Sequence, residues 1–369
     1  MGKFKSIFRA LRDPRAGNSR HELLEVLFIA LLATLCGAEG AADMERFGHA
    51  KEGLLRGFLR LEHGVPSHDT FSRVFRLLDP VVFERAFLDF VRAFARFNKL
   101  NLTGIIAIDG KSLRGAYERG KSAVPMHLVN VFAAEARLAL ASRKAPGRNE
   151  IEGALEVLNM LRLKDCLVAG DALFCSRAVA KTILAKEGNY ILALKGNQSK
   201  LLTSVQRLFA SRTTRRSAEQ VEPSTHDRRE WRRATVVRNS SIGVEEDFPG
   251  IAAVGRVTSR RRPHGGKTAL VVRYYLLSTY LSPRTLLHAV RSRWAIENRL
   301  HWLLDVVMRE DANRARKDNA PEILAVLRKF ALNLLQTHPA KISIRQKIKS
   351  AGWDDTFLLS LVGQFAHMR

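Results

Sequence analysis

The N-terminal part of the chain shows hydrophobic positions at helical spacing. Its longest apolar run covers residues 26–38 and is interrupted only by Thr34. At about 13 residues, this run is shorter than the roughly 20 that a membrane-spanning helix needs, so it predicts a buried core helix. Phenylalanines then recur every three or four residues from Phe83 to Phe94, a stripe typical of a helix packed on a core. We predict an all-helical domain over residues 1–98.

The pattern changes near residue 103, where short apolar runs rich in β-branched residues replace the helical spacing. These runs predict five strands, at 105–108, 127–134, 138–142, 166–169 and 190–194. Helical spacing lies between the third and fourth runs and again between the fourth and fifth. Strands that alternate with helices after an antiparallel meander predict an α/β fold, with a mixed sheet and flanking helices.

The next segment, residues 211–280, is rich in arginine and predicts a β-rich insertion. Its strand-like pieces are 231–238, 251–259 and 270–278. Helical sequence resumes at Pro283 and continues to Met308. We therefore predict three domains: a helical domain, an α/β domain that contains the insertion, and a basic helical tail, at 1–98, 103–340 and 341–369.

The charge balance narrows the choice of partner. The chain has 61 Lys and Arg against 36 Asp and Glu, a formal charge of +25. Such an excess favours a polyanionic partner, most simply nucleic acid, over a surface that is merely basic and solvated. Three scattered cysteines exclude a disulfide framework or a Cys-rich zinc site, so we expect a reducing compartment, the cytoplasm, and no membrane association.

Two aspartates each follow a buried strand of the predicted sheet directly. Asp109 comes after the run 105–108, and Asp171 comes after 166–169 and one glycine. Ligand sites form at the carboxyl ends of strands in such sheets. Two neighbouring carboxylates repel each other unless a cation lies between them, and Mg²⁺ suits carboxylate and phosphate oxygens. The alternative is that each aspartate merely begins a turn, as in the pair Asp109-Gly110.

A pair of metal ions about 4 Å apart needs a third acid. Arg293, Glu297, His301 and Asp305 are spaced by four, so they share one face of a predicted helix. Glu297 is the best candidate for the third ligand. A surface ladder of ion pairs is the alternative interpretation of this spacing.

Several cations, amides and aromatic residues complete the predicted site. Residues after strand ends lie at the same rim as the two aspartates, where they suit phosphate oxygens. Arg293 and His301 share the face of Glu297, and Trp294 could stack on a base, although such residues are more often packed. The predicted DNA contacts are Lys111, Arg114, Lys195, Asn197, Gln198, Arg293, Trp294 and His301.

At these residues the sequence resembles the bacterial insertion-sequence transposases with a DDE site, in the IS-four superfamily. It is most similar to the As-one insertion-sequence group, which includes the H-repeat-associated proteins. The matching segments lie in the expected order along nearly the whole chain. They are 13–15 with His21, 64–71, 106–111, 192–198, 293–298 with 300–302, and 332–335.

The resemblance implies a ribonuclease-H-like catalytic domain with a separate helical N-terminal domain. It places the catalytic and metal-binding triad on Asp109, Asp171 and Glu297, with two Mg²⁺ ions, for which Mn²⁺ could substitute. It implies binding of element ends and target DNA, cleavage and strand transfer, and a homodimer on DNA. Ser176 departs from the family, which often has Gln there. A copy that only binds DNA, or a metal-dependent nuclease that cuts without joining, remains an alternative.

Overall fold

The computed structural model describes residues 2–15, 17, 19–117, 124–211, 217–225, 228–238, 248–263 and 269–366. Its helices are α1 Gly2–Phe8, α2 Leu23–Leu35, α3 Ala41–Ala50, α4 Glu52–Arg56, α5 His68–Leu77, α6 Pro80–Phe97, α7 Glu150–Met160, α8 Arg177–Ala185, α9 Ser199–Ser211, α10 Pro283–Arg293, α11 Ala320–Thr337, α12 Ile344–Trp353 and α13 Asp355–Ala366. Its strands are β1 Gly104–Leu113, β2 Met126–Ala133, β3 Leu138–Lys144, β4 Cys166–Gly170, β5 Asn189–Leu194, β6 Ser217–Thr225, β7 Arg228–Arg238, β8 Ala253–Pro263 and β9 Ala269–Leu277.

The strands of these described residues form one mixed sheet in the order β3-β2-β1-β4-β5-β9-β8-β7-β6. The central strands β1, β4 and β5 are parallel, whereas β2 and β3 form an antiparallel pair. Strands β9, β8, β7 and β6 continue from β5 as antiparallel neighbours. The predicted ribonuclease-H-like α/β fold, with helices before it, is confirmed.

Contacts between Cα atoms divide the chain into two compact units. Unit 1 consists of Met1–Leu102, Gly110–Lys144 and Glu297–Arg369. Unit 2 consists of Thr103–Asp109 and Ala145–Ile296. This division differs from the domain boundaries that the sequence suggested, and those boundaries stay a prediction.

Helix α11 lies at the centre of unit 1, where it packs against α2, α5, α6 and β3. Its Phe330 stacks on Phe90 of α6, with 3.9 Å between ring centroids. The phenylalanine stripe of α6 is buried, so its interpretation as core is confirmed. Burying each such ring contributes about 1.5–3 kcal/mol.

Helix α2 contains most of the long apolar run, and nearly all of its residues are buried. This confirms the predicted core helix. Within the described part of the chain, no helix has both the length and the apolar character needed to cross a membrane.

The β-rich insertion belongs to unit 2 and joins the main sheet through β9, whose last four residues pair with β5. Strand β6 was not predicted, because its sequence is mostly polar and its partner β7 supplies the pairing. Helix α10 packs on this sheet with Leu286 against Gly255, where any Cβ would collide with the leucine. The predicted insertion also includes residues 212–216, 226–227, 239–247 and 264–268, which lie outside the described residues.

One expectation about an element end was wrong, and another is refined. Strand β1 does not end at Asp109 but continues to Leu113. The helical sequence predicted from Pro283 to Met308 is helical, but α10 ends at Arg293 and two π-helical segments follow, Glu297–His301 and Leu303–Val307. Such segments, with hydrogen bonds from i to i+5, are rare and occur frequently at functional sites.

Candidate active site

The sheet of unit 2 places Asp109 and Asp171 at equivalent positions of neighbouring parallel strands. The register of β1 and β4 pairs Gly104 with Cys166 and Ala107 with Ala169, a constant offset of 62 residues. Asp109 and Asp171 differ by the same offset and lie two residues beyond the last pair. Because paired strands lie about 4.8 Å apart, the two backbone positions lie on neighbouring stretches of chain.

The alternative interpretation was that each aspartate merely begins a turn, and the local structure differs between the two residues. Asp109 lies inside β1, so it does not begin a turn. Asp171 does cap a turn, because its Oδ1 accepts a hydrogen bond of 2.9 Å from the Leu173 backbone amide. That bond occupies one lone pair of one oxygen and leaves acceptor capacity on both oxygens.

The loop after Asp171 is braced by two amides that the sequence suggested as DNA contacts. The Asn197 side chain donates to the Ala172 carbonyl oxygen at 2.6 Å. The Gln198 side chain donates to the Cys175 carbonyl oxygen at 3.1 Å. These bonds hold the backbone that follows Asp171. Lys195, which directly follows β5, is exposed. Ser176, the departure from the family pattern, caps α8 by accepting from the Val179 amide.

Three arginines of unit 2 influence the pKa of a buried tyrosine. Burial raises the pKa of Tyr275, and positive charge from Arg273, Arg293 and Arg232 opposes that rise. Arg293 is the last residue of α10, and the other two lie on β9 and β7. Trp294 follows Arg293 as the C-terminal cap of α10 and is half-buried. Arginine side chains suit phosphate oxygens.

Glu297, the third predicted acid, belongs to unit 1, where it is exposed and begins the first π-helical segment. In the part of the chain that the structure describes, no group of three or more His, Cys, Asp or Glu side chains is placed to hold a metal ion. The meeting of Glu297 with the two aspartates therefore stays a prediction.

Lys111 does not lie at an open strand end, because its side chain is buried inside unit 1 at 6% exposure. Its Nζ contacts Asp305 Oδ1 at 2.6 Å, Glu310 Oε2 at 2.9 Å and Asp311 Oδ1 at 3.4 Å. Burial alone would lower the pKa of Lys111, but these carboxylates outweigh it and raise that pKa. Arg114 remains exposed, with its Nε 3.5 Å from Asp311 Oδ2.

His301 lies against the sheet of unit 1 and is neutral. Its Nε2 lies 3.2 Å from the Asn130 amide nitrogen, so the imidazole nitrogen accepts and the amide donates. Burial, with the Lys111 charge adding to it, lowers the pKa of His301 to about 3. A neutral imidazole adds no positive charge for phosphate binding at physiological pH.

Sequence reasoning missed the buried charges around Lys111. Glu310 is 2% exposed and Lys329 is fully buried. Burial alone would raise the pKa of Glu310, but the charges of Lys111 and Lys329 lower it. A signal existed, because Lys329 interrupts the apolar helix α11 and a buried lysine requires an acidic partner.

The comparisons with known proteins agree with this fold. The family profile described as "Transposase DDE domain" matches residues 101–334, and "DDE_Tnp_1-associated" matches residues 5–91. The chain therefore belongs to the DDE transposase family.

Three relatives each match at least two thirds of this chain. The putative transposase YncI of Escherichia coli O157:H7 is 34% identical over 328 residues, 87% of this chain and 83% of the relative. The H repeat-associated putative transposase YhhI of E. coli K12 is 30% identical and covers 93% and 92%. An uncharacterized protein in the dhlA 3′ region of Xanthobacter autotrophicus is 40% identical and covers 71% and 90%.

Among solved structures, "Cryo-EM structure of piggyBac transposase synaptic complex with hairpin DNA (SNHP)" aligns with 99% of this chain and 80% of its own. The TM-score is 0.40 and the identity 12%, which is too weak a likeness to support an argument.

DDE transposase domains generally use divalent metal ions. The residue types of this chain fit that chemistry, because Asp109 and Asp171 are carboxylates that follow the paired parts of β1 and β4 at the same offset of 62 residues. Mg²⁺ is commonly bound by one or two carboxylates together with substrate phosphate.

Proposed function

We propose that this chain is the DNA transposase of an insertion sequence, which binds the ends of its element and catalyses Mg²⁺-dependent cleavage and strand transfer. The observation that carries the proposal is that Asp109 and Asp171 each come two residues after the last paired position of β1 and β4, in a chain of the DDE transposase family. The charge of +25 supports double-stranded DNA as the partner.

In the proposed mechanism, Asp109, Asp171 and Glu297 supply carboxylate oxygens to two divalent ions, Mg²⁺ or its substitute Mn²⁺. The bound ions would neutralise charge on the scissile phosphate and activate the attacking oxygen. Water first attacks the phosphodiester at an element end and releases a 3′-hydroxyl. That hydroxyl then attacks a target phosphodiester, so the bond broken at the target is replaced by the bond to the element.

Other side chains bind and orient the DNA in this proposal. Arg293, Arg232 and Arg273 of unit 2 would contact phosphates of the DNA backbone. Exposed Lys195 and Arg114 would add positive charge. Asn197 and Gln198 act by fixing the loop after Asp171. Trp294 and His301 complete the set of proposed DNA contacts. We further propose a homodimer on DNA, in the cytoplasm and on the nucleoid.

The test is cleavage of a duplex that carries an element end, with Mg²⁺, followed by joining to a supercoiled plasmid. Asp109→Asn, Asp171→Asn and Glu297→Gln should each lower cleavage by more than the roughly 10–100-fold that changes behind a metal ligand cost. DNA binding should persist in all three variants. Asp89→Asn, which alters an exposed acid on α6, is the matched control and should cleave normally.

Each outcome assigns one function. Cleavage and joining that both depend on the three acids support the transposase. Cleavage without joining would instead identify a metal-dependent nuclease. Salt-sensitive binding without any divalent-dependent cleavage would identify a decayed copy that only binds DNA. Full activity in Asp109→Asn would exclude the proposed site.

A further inference from the structure

The segment that follows Glu297 is held by side chains from outside it. We name it the glutamate segment, residues 297–312. It contains the two π-helical segments and the short turn Glu310–Ala312, which begins after Arg309 in a left-handed conformation, φ 52°. π-Helical hydrogen bonding is rare and usually limited to single turns, so the backbone of this segment gains support from contacts with its neighbours.

Three side chains of unit 1 hold this segment from three different elements. Lys111 of β1 binds carboxylates at its far end, as described above. Asn130 of β2 donates to His301. Gln336 of α11 donates to the Arg299 carbonyl oxygen at 2.7 Å. Strand β1, strand β2 and helix α11 therefore each fix a different point of the glutamate segment.

The Lys111 contact is the strongest of the three. An ammonium has three N–H donors, and the structure surrounds this one with three carboxylates, those of Asp305, Glu310 and Asp311. Charges this deeply buried are tolerated only when they are paired in good geometry. Burial raises the pKa of Asp305, and the negative charges of Asp311 and Glu310 add to that rise, although Lys111 opposes it. Lys111 therefore pairs with these acids and is not exposed to solvent.

Neighbouring backbone contacts keep the turn in place. A Cβ at Gly115 would collide with the carbonyl oxygens of Asn313 and Asp311, so the turn that follows β1 approaches the backbone of residues 311–313 closely. Arg316 donates from Nε to the Gly115 carbonyl oxygen at 2.8 Å. Asn313 donates to the Glu39 carbonyl oxygen at 2.7 Å. The turn that carries two of the acids paired with Lys111 is therefore itself held in place by backbone contacts.

Lys111 and Asp305 each lie close along the chain to one of the proposed metal-binding acids. Lys111 follows Asp109 by two residues on the same strand, and Asp305 follows Glu297 by eight. We infer that Lys111 is a positioning residue that fixes the glutamate segment against the end of β1 within unit 1, and so sets where Glu297 presents its carboxylate. The inference rests on the proposed function of Glu297, and it replaces the expected role of Lys111 as a phosphate contact.

The first test measures position without activity. Hydrogen exchange is followed by mass spectrometry in the full-length, metal-free protein, comparing wild type with Lys111→Met. Peptides that cover residues 297–307 should exchange several-fold faster in the variant, because their anchor has lost its charge. Peptides from α7, which belongs to unit 2, should be unchanged.

The second test measures metal dependence. The Mg²⁺ concentration that gives half-maximal cleavage should rise about 10–100-fold in Lys111→Met, the range seen when groups that orient metal ligands are removed. Affinity for the end-bearing duplex should stay within about twofold, because Lys111 touches no DNA in this proposal. Lys111→Arg retains the charge and should recover part of the wild-type Mg²⁺ response.

Two further variants test whether the effects come from misfolding or from the loss of any lysine. Asp305→Asn alters a carboxylate that is 29% exposed, so it should fold even if Lys111→Met does not, and it should show the same two changes more weakly. Lys51→Met is the matched control, because it removes a lysine with a single 2.6 Å ion pair elsewhere in unit 1. It should change neither exchange at 297–307 nor the Mg²⁺ midpoint.

Two results would overturn the inference: unchanged exchange at 297–307 in both Lys111→Met and Asp305→Asn, or weaker DNA binding with an unchanged Mg²⁺ midpoint, which would make Lys111 a phosphate contact. Failure of the proposed function looks different, because the wild type itself would then not cleave. In that case the exchange experiment alone decides whether Lys111 fixes the segment.

Discussion

The two units place their positive charge in opposite ways. Unit 1 buries cations in its interior, where Lys111, Arg328, Lys329 and Lys347 are each at most 6% exposed. In the described part of unit 2 no lysine or arginine is buried. Its described arginines are half-buried or exposed, and three on β7 and β8 lie over aromatic rings. The difference indicates that the buried cations of unit 1 stabilise the fold, whereas the arginines of unit 2 remain accessible to a polyanion.

Removing a buried cation from unit 1 should have the largest effect. Lys329→Met leaves Glu84 and Glu310 with less compensating charge, so unfolding free energy should fall by about 3–5 kcal/mol. Denaturant titration measures the loss. In the double variant with Glu84→Gln part of the loss should be recovered, because one of the acids is then neutral. A loss below about 1 kcal/mol in Lys329→Met would contradict the structural role of the buried charge.

The next effect is a pH dependence that comes from Glu84. Burial raises its pKa to about 7 although Lys329 opposes the rise, and its Oε1 accepts from the Ser142 amide. Between the unperturbed value of 4.5 and about 7, the native state keeps a proton that the unfolded state has lost. The contribution of Glu84 to unfolding free energy therefore falls as pH rises through this window, by about 1.4 kcal/mol for each pH unit crossed.

Glu84→Gln isolates that contribution, because the amide oxygen can still accept from Ser142. The difference in unfolding free energy between the variant and wild type should grow in favour of the variant from pH 4.5 to 7 and then level off. Denaturant titrations at fixed ionic strength measure it. A difference that is constant with pH would show that Glu84 does not titrate in this window.

A smaller effect is expected from crowding the turn of the glutamate segment. Gly115→Ala places a methyl group against backbone oxygens that cannot rotate away, so unfolding free energy should fall by about 1–3 kcal/mol. Gly53→Ala is the matched control, because nothing lies within 4 Å of the added Cβ and the site is inside α4. There the substitution should be neutral or stabilising by up to about 1 kcal/mol. Equal effects at both positions would contradict the close approach.

The smallest effect on stability belongs to the insertion of unit 2. Arg260 stacks on Trp231 with 5.2 Å to the ring centroid, so Arg260→Gln should cost only about 0.5–1 kcal/mol of unfolding free energy. If Arg260 binds a phosphate, the log–log salt slope of DNA binding should become shallower by about 0.9. Arg56→Gln on α4 of unit 1 is the control and should leave the slope unchanged. Equal slopes in both variants would remove Arg260 from the DNA-binding surface.

Much of the fold could be predicted, because the local pattern decides it. The switch from helical spacing to short β-branched runs gave the order of the central strands and helices, and the two aspartates were identified by their place after such runs. The constant offset of 62 residues between β1 and β4 could not be predicted, because register depends on pairing between distant segments.

The remaining features depend on partners far along the chain. Gly110-Lys111 resembles a turn locally, yet β1 continues through it because the acids that receive Lys111 come about 200 residues later. The π-helical segments escaped prediction because the spacing of 293, 297, 301 and 305 fits an ordinary helix equally well. Strand β6 is polar, and only its pairing with β7 identifies it.

The way the chain is divided between the two units has a consequence for biosynthesis. Unit 1 is assembled from three separate stretches, and α11, on which its first helices pack, is encoded far downstream of those helices. Domains usually fold in order as they leave the ribosome. Here the N-terminal helices must wait, with their phenylalanines uncovered, until α11 has been synthesised. Premature termination before α11 would therefore leave a nascent chain that is prone to aggregate rather than a smaller folded protein.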